Sequence, residues 1–118
     1  MKRCYRLSED EDFQRVRREG RSWSHQLVVL CALRNDLDYS RFGFAASKRI
    51  GNAVVRNRAR RLMREAVRLR QHQIPQGWDI VFIARLPIRD ASFHEVDRAL
   101  EVLLTRAQLF VEMEKPGF

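Results

Sequence analysis

Residues 48–65 read KRIGNAVVRNRARRLMRE, and the folding of this segment decides the architecture around it. On a wheel of about 100° per residue, counted from Asn52 onward, Val55, Ala59, Leu62, Met63, Ala66 and Leu69 gather on one side. Asn57, Arg60, Arg61, Arg64 and Arg68 gather on the other, with Arg56 and Arg58 at the boundary. The segment is therefore expected to be a helix with one face in a core and one face of guanidinium groups. It starts near Asn52 and runs to about His72, where Gln73-Ile74-Pro75-Gln76-Gly77 stops it.

Strand patterns flank the helix on both sides. Tyr39 to Ser47 alternates, with Phe42, Phe44 and Ala46 on one face and Arg41, Gly43, Ala45 and Ser47 on the other. The second face is small, so either a helix packs against it or it forms the wall of a ligand cleft. Trp78 to Ala84, WDIVFIA, is a buried strand by length and β-branched content. Strand, long helix and strand make a crossover unit, which predicts that these two strands are parallel.

Further out, Arg34 to Asp38 is a turn, Leu27 to Leu33 a buried strand, and the residues from Arg21 a shorter one. Ser8 and Glu11 have capping-box spacing for a first helix carrying Phe13 and Val16, which Gly20 ends. After a loop at Leu86 to Asp90, Ser92 and Glu95 form a second capping box. Val96, Leu100, Leu103 and Ala107 follow at helical spacing, so the last helix reaches Leu109 or Phe110. The expected fold class is α+β, a two-layer α/β sandwich in the order α-β-β-β-α-β-α. One domain spans 1–118, with a core over about 7–109 and a tail at 113–118.

The net charge of +8 is concentrated in one region. Residues 41–70 hold ten basic residues and one acid, Glu65, whereas the rest of the chain holds thirteen basic and fourteen acidic residues. A solvated face usually mixes both signs. Like charges at helical spacing repel by a few tenths of a kcal/mol per pair unless a partner neutralises them. A block of one sign points to a polyanion, and arginine, which provides 20 of the 23 basic residues, binds phosphate through its planar fork. Just before the helix, Lys48, Arg49, Gly51 and Asn52 lie where backbone N–H groups attract phosphate.

Other function classes find little support. The longest apolar run, Leu27 to Leu33, is too short to span a bilayer. The N-terminus lacks an apolar signal core, so the expected compartment is the cytoplasm, with Cys4 and Cys31 as free thiols. His25, His72 and His94 are scattered, and no carboxylate cluster suits a two-metal site. The acids from Glu9 to Asp12 read as a helix start. No catalytic residue and no protein-held metal are expected.

Lys48 to Glu65, with its Gly-Asn-Ala-Val-Val-Arg-Asn-Arg core, resembles the arginine-asparagine-arginine signature of the bacterial ribonuclease P protein component. Flanking matches occur in the same order: Asp12-Phe13 with Gly20, Arg41-Phe42-Gly43, and Pro75, Gly77 and Asp79-Ile80-Val81. The resemblance covers roughly Leu7 to Leu109 and implies the same α-β-β-β-α-β-α order. It also implies the activity: a ribonucleoprotein that hydrolyses one phosphodiester to release the 5′ leader of precursor tRNA. The RNA subunit holds the catalytic Mg²⁺, and the protein grips the leader. The implied partners are ribonuclease P RNA, with 1:1 stoichiometry, and precursor tRNA, with no membrane.

By this resemblance Arg56, Asn57, Arg58, Arg60, Arg61, Arg64 and Arg68 touch RNA, with Lys48, Arg49 and Asn52 at the mouth of that surface. Phe13 and the strand face of Arg41, Ala45 and Ser47 line the leader cleft, although Phe13 also reads as plain core. Where relatives often carry an aromatic one turn after Phe13, this chain has Arg17, and it has Cys31 where they often have an aromatic on the second strand. Arg17 is then the residue expected to supply charge or planar stacking. The rival readings are a general or ribosome-associated RNA-binding protein, a DNA-reading helix and an autonomous nuclease. The first lacks the ordered flanking motifs, the second needs base-reading side chains exposed together, and the third needs a metal or general-acid constellation.

Overall fold

In the computed structural model, residues 5–7 and 10–109 are described. The elements are α1 (Asp10–Glu19), β1 (Arg21–Ser24), β2 (Val28–Arg34), β3 (Arg41–Ala45), α2 (Ala53–Arg70), β4 (Trp78–Ala84) and α3 (Phe93–Arg106). The order is the expected one, and the strands form one sheet in the order β1-β2-β4-β3. β1 with β2 and β2 with β4 are antiparallel, whereas β3 and β4 are parallel with Gly43 opposite Val81, as the crossover requires.

Period-two alternation divides the sheet into two faces. Leu30, Phe42, Phe44, Ile80 and Phe82 point to the main core, where they meet Met63 and Ala66 of α2 and Val96, Leu100 and Leu103 of α3. The other face is covered only in part, by α1: Val16 packs on Cys31 and Val81, with Phe13, Val29, Leu33 and Ile83 half-buried beside them. The sheet and the α2–α3 pair are the two main layers, with α1 beneath.

Several boundaries shift from the sequence reading for physical reasons. Ser8, the expected first cap, and Phe110 with the 113–118 tail lie outside the described residues. The Ser92–Glu95 capping box is formed, Glu95 N–H donating to Ser92 Oγ at 3.2 Å and Ser92 N–H to Glu95 Oε1 at 2.8 Å. α3 ends earlier than expected because Gln108 takes φ 58°. Gln108 N–H then bonds Thr105 O and Leu109 N–H bonds Leu104 O, the nested pair that closes a helix C-terminus and turns the chain inward. Leu86–Asp90 is a short 3-10 turn rather than an open loop.

On α2 the apolar stripe is rotated from the expected one. Ala59, Met63, Ala66 and Val67 are buried, whereas Leu69 is 51% exposed. Leu69 lies about 120° around the helix from Met63, and Val67 only about 40°. Arg70 falls on the buried side and bonds Asp97 of α3 at 2.6 Å, tying the two helices together.

Candidate nucleic-acid interface

Asn52 caps α2, its Oδ1 accepting from Val55 N–H at 3.0 Å. Gly51 before it takes φ 155°, where a Cβ would lie 3.0 Å from Val55 Cβ, so this turn favours glycine. The turn leaves Lys48 and Arg49 exposed beside the helix start. Along the helix, Asn57, Arg61 and Arg68 are exposed and Arg60 and Arg64 half-buried. Arg60 donates to Asn57 Oδ1 at 2.6 Å, and Arg68 makes two 2.7 Å bonds to Glu65, the one acid on this helix. Arg58 donates to Ala91 O at 2.8 Å, so part of its guanidinium supports the turn before α3. Arg56 lies on the buried side of the wheel, and its Nε is buried with no hydrogen-bond partner among the described residues.

The guanidinium face meets the sheet at the outer edge of β3. Residues 5–7 run along that edge, Arg6 bridging Phe42 in parallel and Leu7 N–H donating to Phe42 O at 2.9 Å. Arg6, Arg60 and Arg64 line a cleft of about 200 Å³ with Phe13, Gly43 and Phe44. Phe13 reaches it because Gly43 has no side chain: a Cβ there would sit 2.2 Å from Phe13 Cε1. Thus a helix does pack on the small face of β3, and its aromatic also walls a cleft. The Arg64 guanidinium stands 5.6 Å from the Phe44 ring centroid. Burial, then the charges of Arg6 and Arg60, push its pKa below the ordinary value. Among the described residues no carboxylate lines the cleft, and an anion entering it offsets the mutual repulsion of Arg6, Arg60 and Arg64.

The expected cleft residues fall in three places. Arg17 is exposed on α1, and its charge is felt at Cys31 on the sheet below; burial nonetheless raises the thiol pKa above its ordinary value. The two positions that depart from the family pattern are therefore neighbours. Ala45 is half-buried in the same face as Phe13. Ser47 opens instead on a separate hollow of about 340 Å³ with Arg49, Arg85, Leu86 and Pro87. Arg41 is held away from both: its Nε and Nη2 bond the two oxygens of Asp79 at 3.0 and 2.7 Å, and Asp79 is 1% exposed.

Arg6 and Arg85 join these surfaces without having been singled out in the sequence. Both lie outside the 41–70 charge block, and the pairing that brings Arg6 to β3 leaves no local signature. The assembled surface offers crowded, largely unneutralised guanidinium groups and an aromatic ring beside a narrow cleft. That combination binds phosphate and stacks unpaired bases.

Comparison with known proteins gives the same direction. The family model described as Ribonuclease P matches residues 1–108. The ribonuclease P protein component of Roseiflexus castenholzii is 51% identical over 108 residues, covering 91% of this chain and 88% of that one. That of Clostridioides difficile is 42% identical over 106 residues, covering 89% and 93%. Among solved structures, the RNase P protein of Staphylococcus aureus superposes with a TM-score of 0.83 at 34% identity, covering 90% of this chain and 97% of that one. The Thermotoga maritima protein gives 0.78 at 34%, covering 86% and 96%. With the fold and the sequence shared over nearly the whole length, the chain belongs to the ribonuclease P protein component family.

Proposed function

We propose that the chain is the non-catalytic subunit of a ribonucleoprotein endonuclease that removes the 5′ leader from precursor tRNA. It binds ribonuclease P RNA, one to one, through the α2 face from Lys48, Arg49 and Asn52 to Arg68. It holds the single-stranded leader against Phe13, Arg17 and Ala45. Among the described residues no group of three or more histidine, cysteine or carboxylate side chains is gathered to hold a metal ion. As the resemblance implies, the catalytic Mg²⁺ is assigned mainly to the RNA subunit. No helix among the described residues is long and apolar enough to cross a membrane; the cytoplasm is the compartment in which precursor tRNA is met.

The observation that carries this reading is the β3-edge cleft, where Phe13 and the guanidinium groups of Arg60 and Arg64 face one space. A phosphate-binding helix alone would bind any RNA, whereas an adjoining aromatic wall favours an unpaired strand. The RNA–protein complex is expected to bind precursor tRNA more tightly than mature tRNA. Phe13→Ala with Arg17→Ala should shrink that difference by roughly fivefold or more, since one stacked base is worth ~1–3 kcal/mol. Equal affinity for the two tRNAs, or a difference that the double variant leaves intact, would count against the leader cleft.

A further inference from the structure

At its C-terminal end the guanidinium face of α2 runs into a second cavity. Tyr5 stands edge-on to Tyr39, ring centroids 5.6 Å apart at 63°, and faces the last turn of α2 across the edge of β3. The space between Tyr5, Arg68, Gln71, His72 and Gln76 is about 390 Å³. Its floor is fixed. Phe42 is 2% exposed, and Ser40 both donates to Pro75 O at 2.6 Å and accepts from Trp78 N–H at 3.0 Å.

The walls have a consistent chemistry. One is aromatic, two are amides, one is a guanidinium and one an imidazole, with no carboxylate among the described residues. The amides of Gln71 and Gln76 make no side-chain hydrogen bond among the described residues. An amide carries donor and acceptor side by side, as the edge of a nucleobase does. Arg68 is paired with Glu65, but both side chains are about half exposed, at 51% and 45%. Such surface pairs are weak, so a phosphate can draw Arg68 away. Arg60 and Arg68 are about 12 Å apart along the helix, so a strand crossing the β3-edge cleft is within reach of this cavity.

We propose that the cavity seats one unpaired nucleobase of the bound RNA, stacked on Tyr5 and read at its edge by Gln71 and Gln76, with Arg68 on the adjoining phosphate. The proposal rests on the α2 face being an RNA surface and adds a base contact at its far end. No base-specific role is thereby given to the rest of the face, which recognises phosphate.

The test is equilibrium binding of the full chain to a short single-stranded RNA of mixed sequence and to an abasic strand of the same length, at several salt concentrations. Tyr5→Ala is expected to weaken the base-bearing strand roughly five- to hundredfold, with the salt slope and abasic binding unchanged. Tyr5→Phe keeps the ring and should bind as the parent protein does. The cavity is not a base site if Tyr5→Ala matches the parent on both strands, or if it weakens both equally. Arg60→Ala with Arg64→Ala, measured alongside, separates the two ideas. A flattened slope in that variant with a silent Tyr5→Ala removes the cavity alone, and an unchanged slope removes the RNA face beneath it.

Discussion

Asp79→Ala is expected to lower folding stability by about 2–4 kcal/mol, read as a shift of the denaturant midpoint at unchanged m-value. The Asp79 carboxylate is 1% exposed and joins four parts of the fold. Arg41 of β3 grips both its oxygens at 3.0 and 2.7 Å, Arg15 of α1 reaches Oδ2 at 2.7 Å, and Asn35 of the turn after β2 donates to Oδ1 at 2.8 Å. Removing one partner of a buried pair leaves the other charge uncompensated, which costs ~3–5 kcal/mol when the orphan stays buried. Here Arg15 and Arg41 are 36% and 24% exposed and can turn toward water, so the cost should sit below the top of that range.

The same cluster gives the protein a defined acid response. Burial pushes the Asp79 carboxyl up, but hydrogen bonds from Arg41 and Asn35 and the charges of Arg41 and Arg15 outweigh it and hold the pKa below its ordinary 3.8. A depressed carboxylate contributes stability that is fully present above its unfolded value and lost as pH falls through the folded value. The gap between the parent protein and Asp79→Ala should therefore be constant above about pH 5 and narrow below pH 4. An equal midpoint at neutral pH, or a gap that does not close in acid, would mean that the cluster contributes little. On the proposed function, because Arg15 lies on α1 with Phe13 and Arg17, this variant should also weaken binding of the leader.

Arg60→Ala with Arg64→Ala is expected to weaken binding of ribonuclease P RNA roughly ten- to hundredfold near physiological salt, about 1.4–2.8 kcal/mol. The log–log salt slope should flatten by ~0.7–0.9 for each phosphate that the variant no longer neutralises. Stability should move by no more than about 0.5 kcal/mol, because the substitutions remove mutual repulsion as well as packing. That opposition is the informative part. Burial and the neighbouring charges of Arg6 and Arg60 already lower the Arg64 pKa, a cost carried in the free protein and relieved by an anion. A slope that does not change would show that phosphates are met elsewhere.

Much of this fold is legible locally. β4 covers the expected Trp78 to Ala84, the Ser92–Glu95 box closes as its spacing foretold, and the parallel pairing of β3 with β4 follows from the length of the helix between them. The family and its arginine face are legible because eighteen consecutive residues carry them. Misreadings arise where distant parts of the chain meet. The family resemblance puts Arg41 in the leader cleft, but Asp79, 38 positions away, takes its guanidinium. Leu69 looks like core on an ideal wheel, but the helix turns Val67 inward, and Arg70 finds Asp97 in α3. Arg6 carries no periodic or charge signal and reaches the cleft through one bridge to Phe42. Phe13 needed no choice between core and cleft, because the absent side chain of Gly43 lets it serve both.

On the proposed function this protein assists an RNA catalyst and is not itself a nuclease. Cleavage of precursor tRNA at low Mg²⁺ should be compared for ribonuclease P RNA alone, for this protein freed of RNA, and for the two together. The mixture is expected to cleave at the 5′ end of the mature tRNA, and the protein alone to leave the substrate intact. Metal-dependent cleavage by the RNA-free protein would contradict that role, as would a mixture no more active than the RNA alone; the latter result would reduce the chain to a general RNA-binding protein.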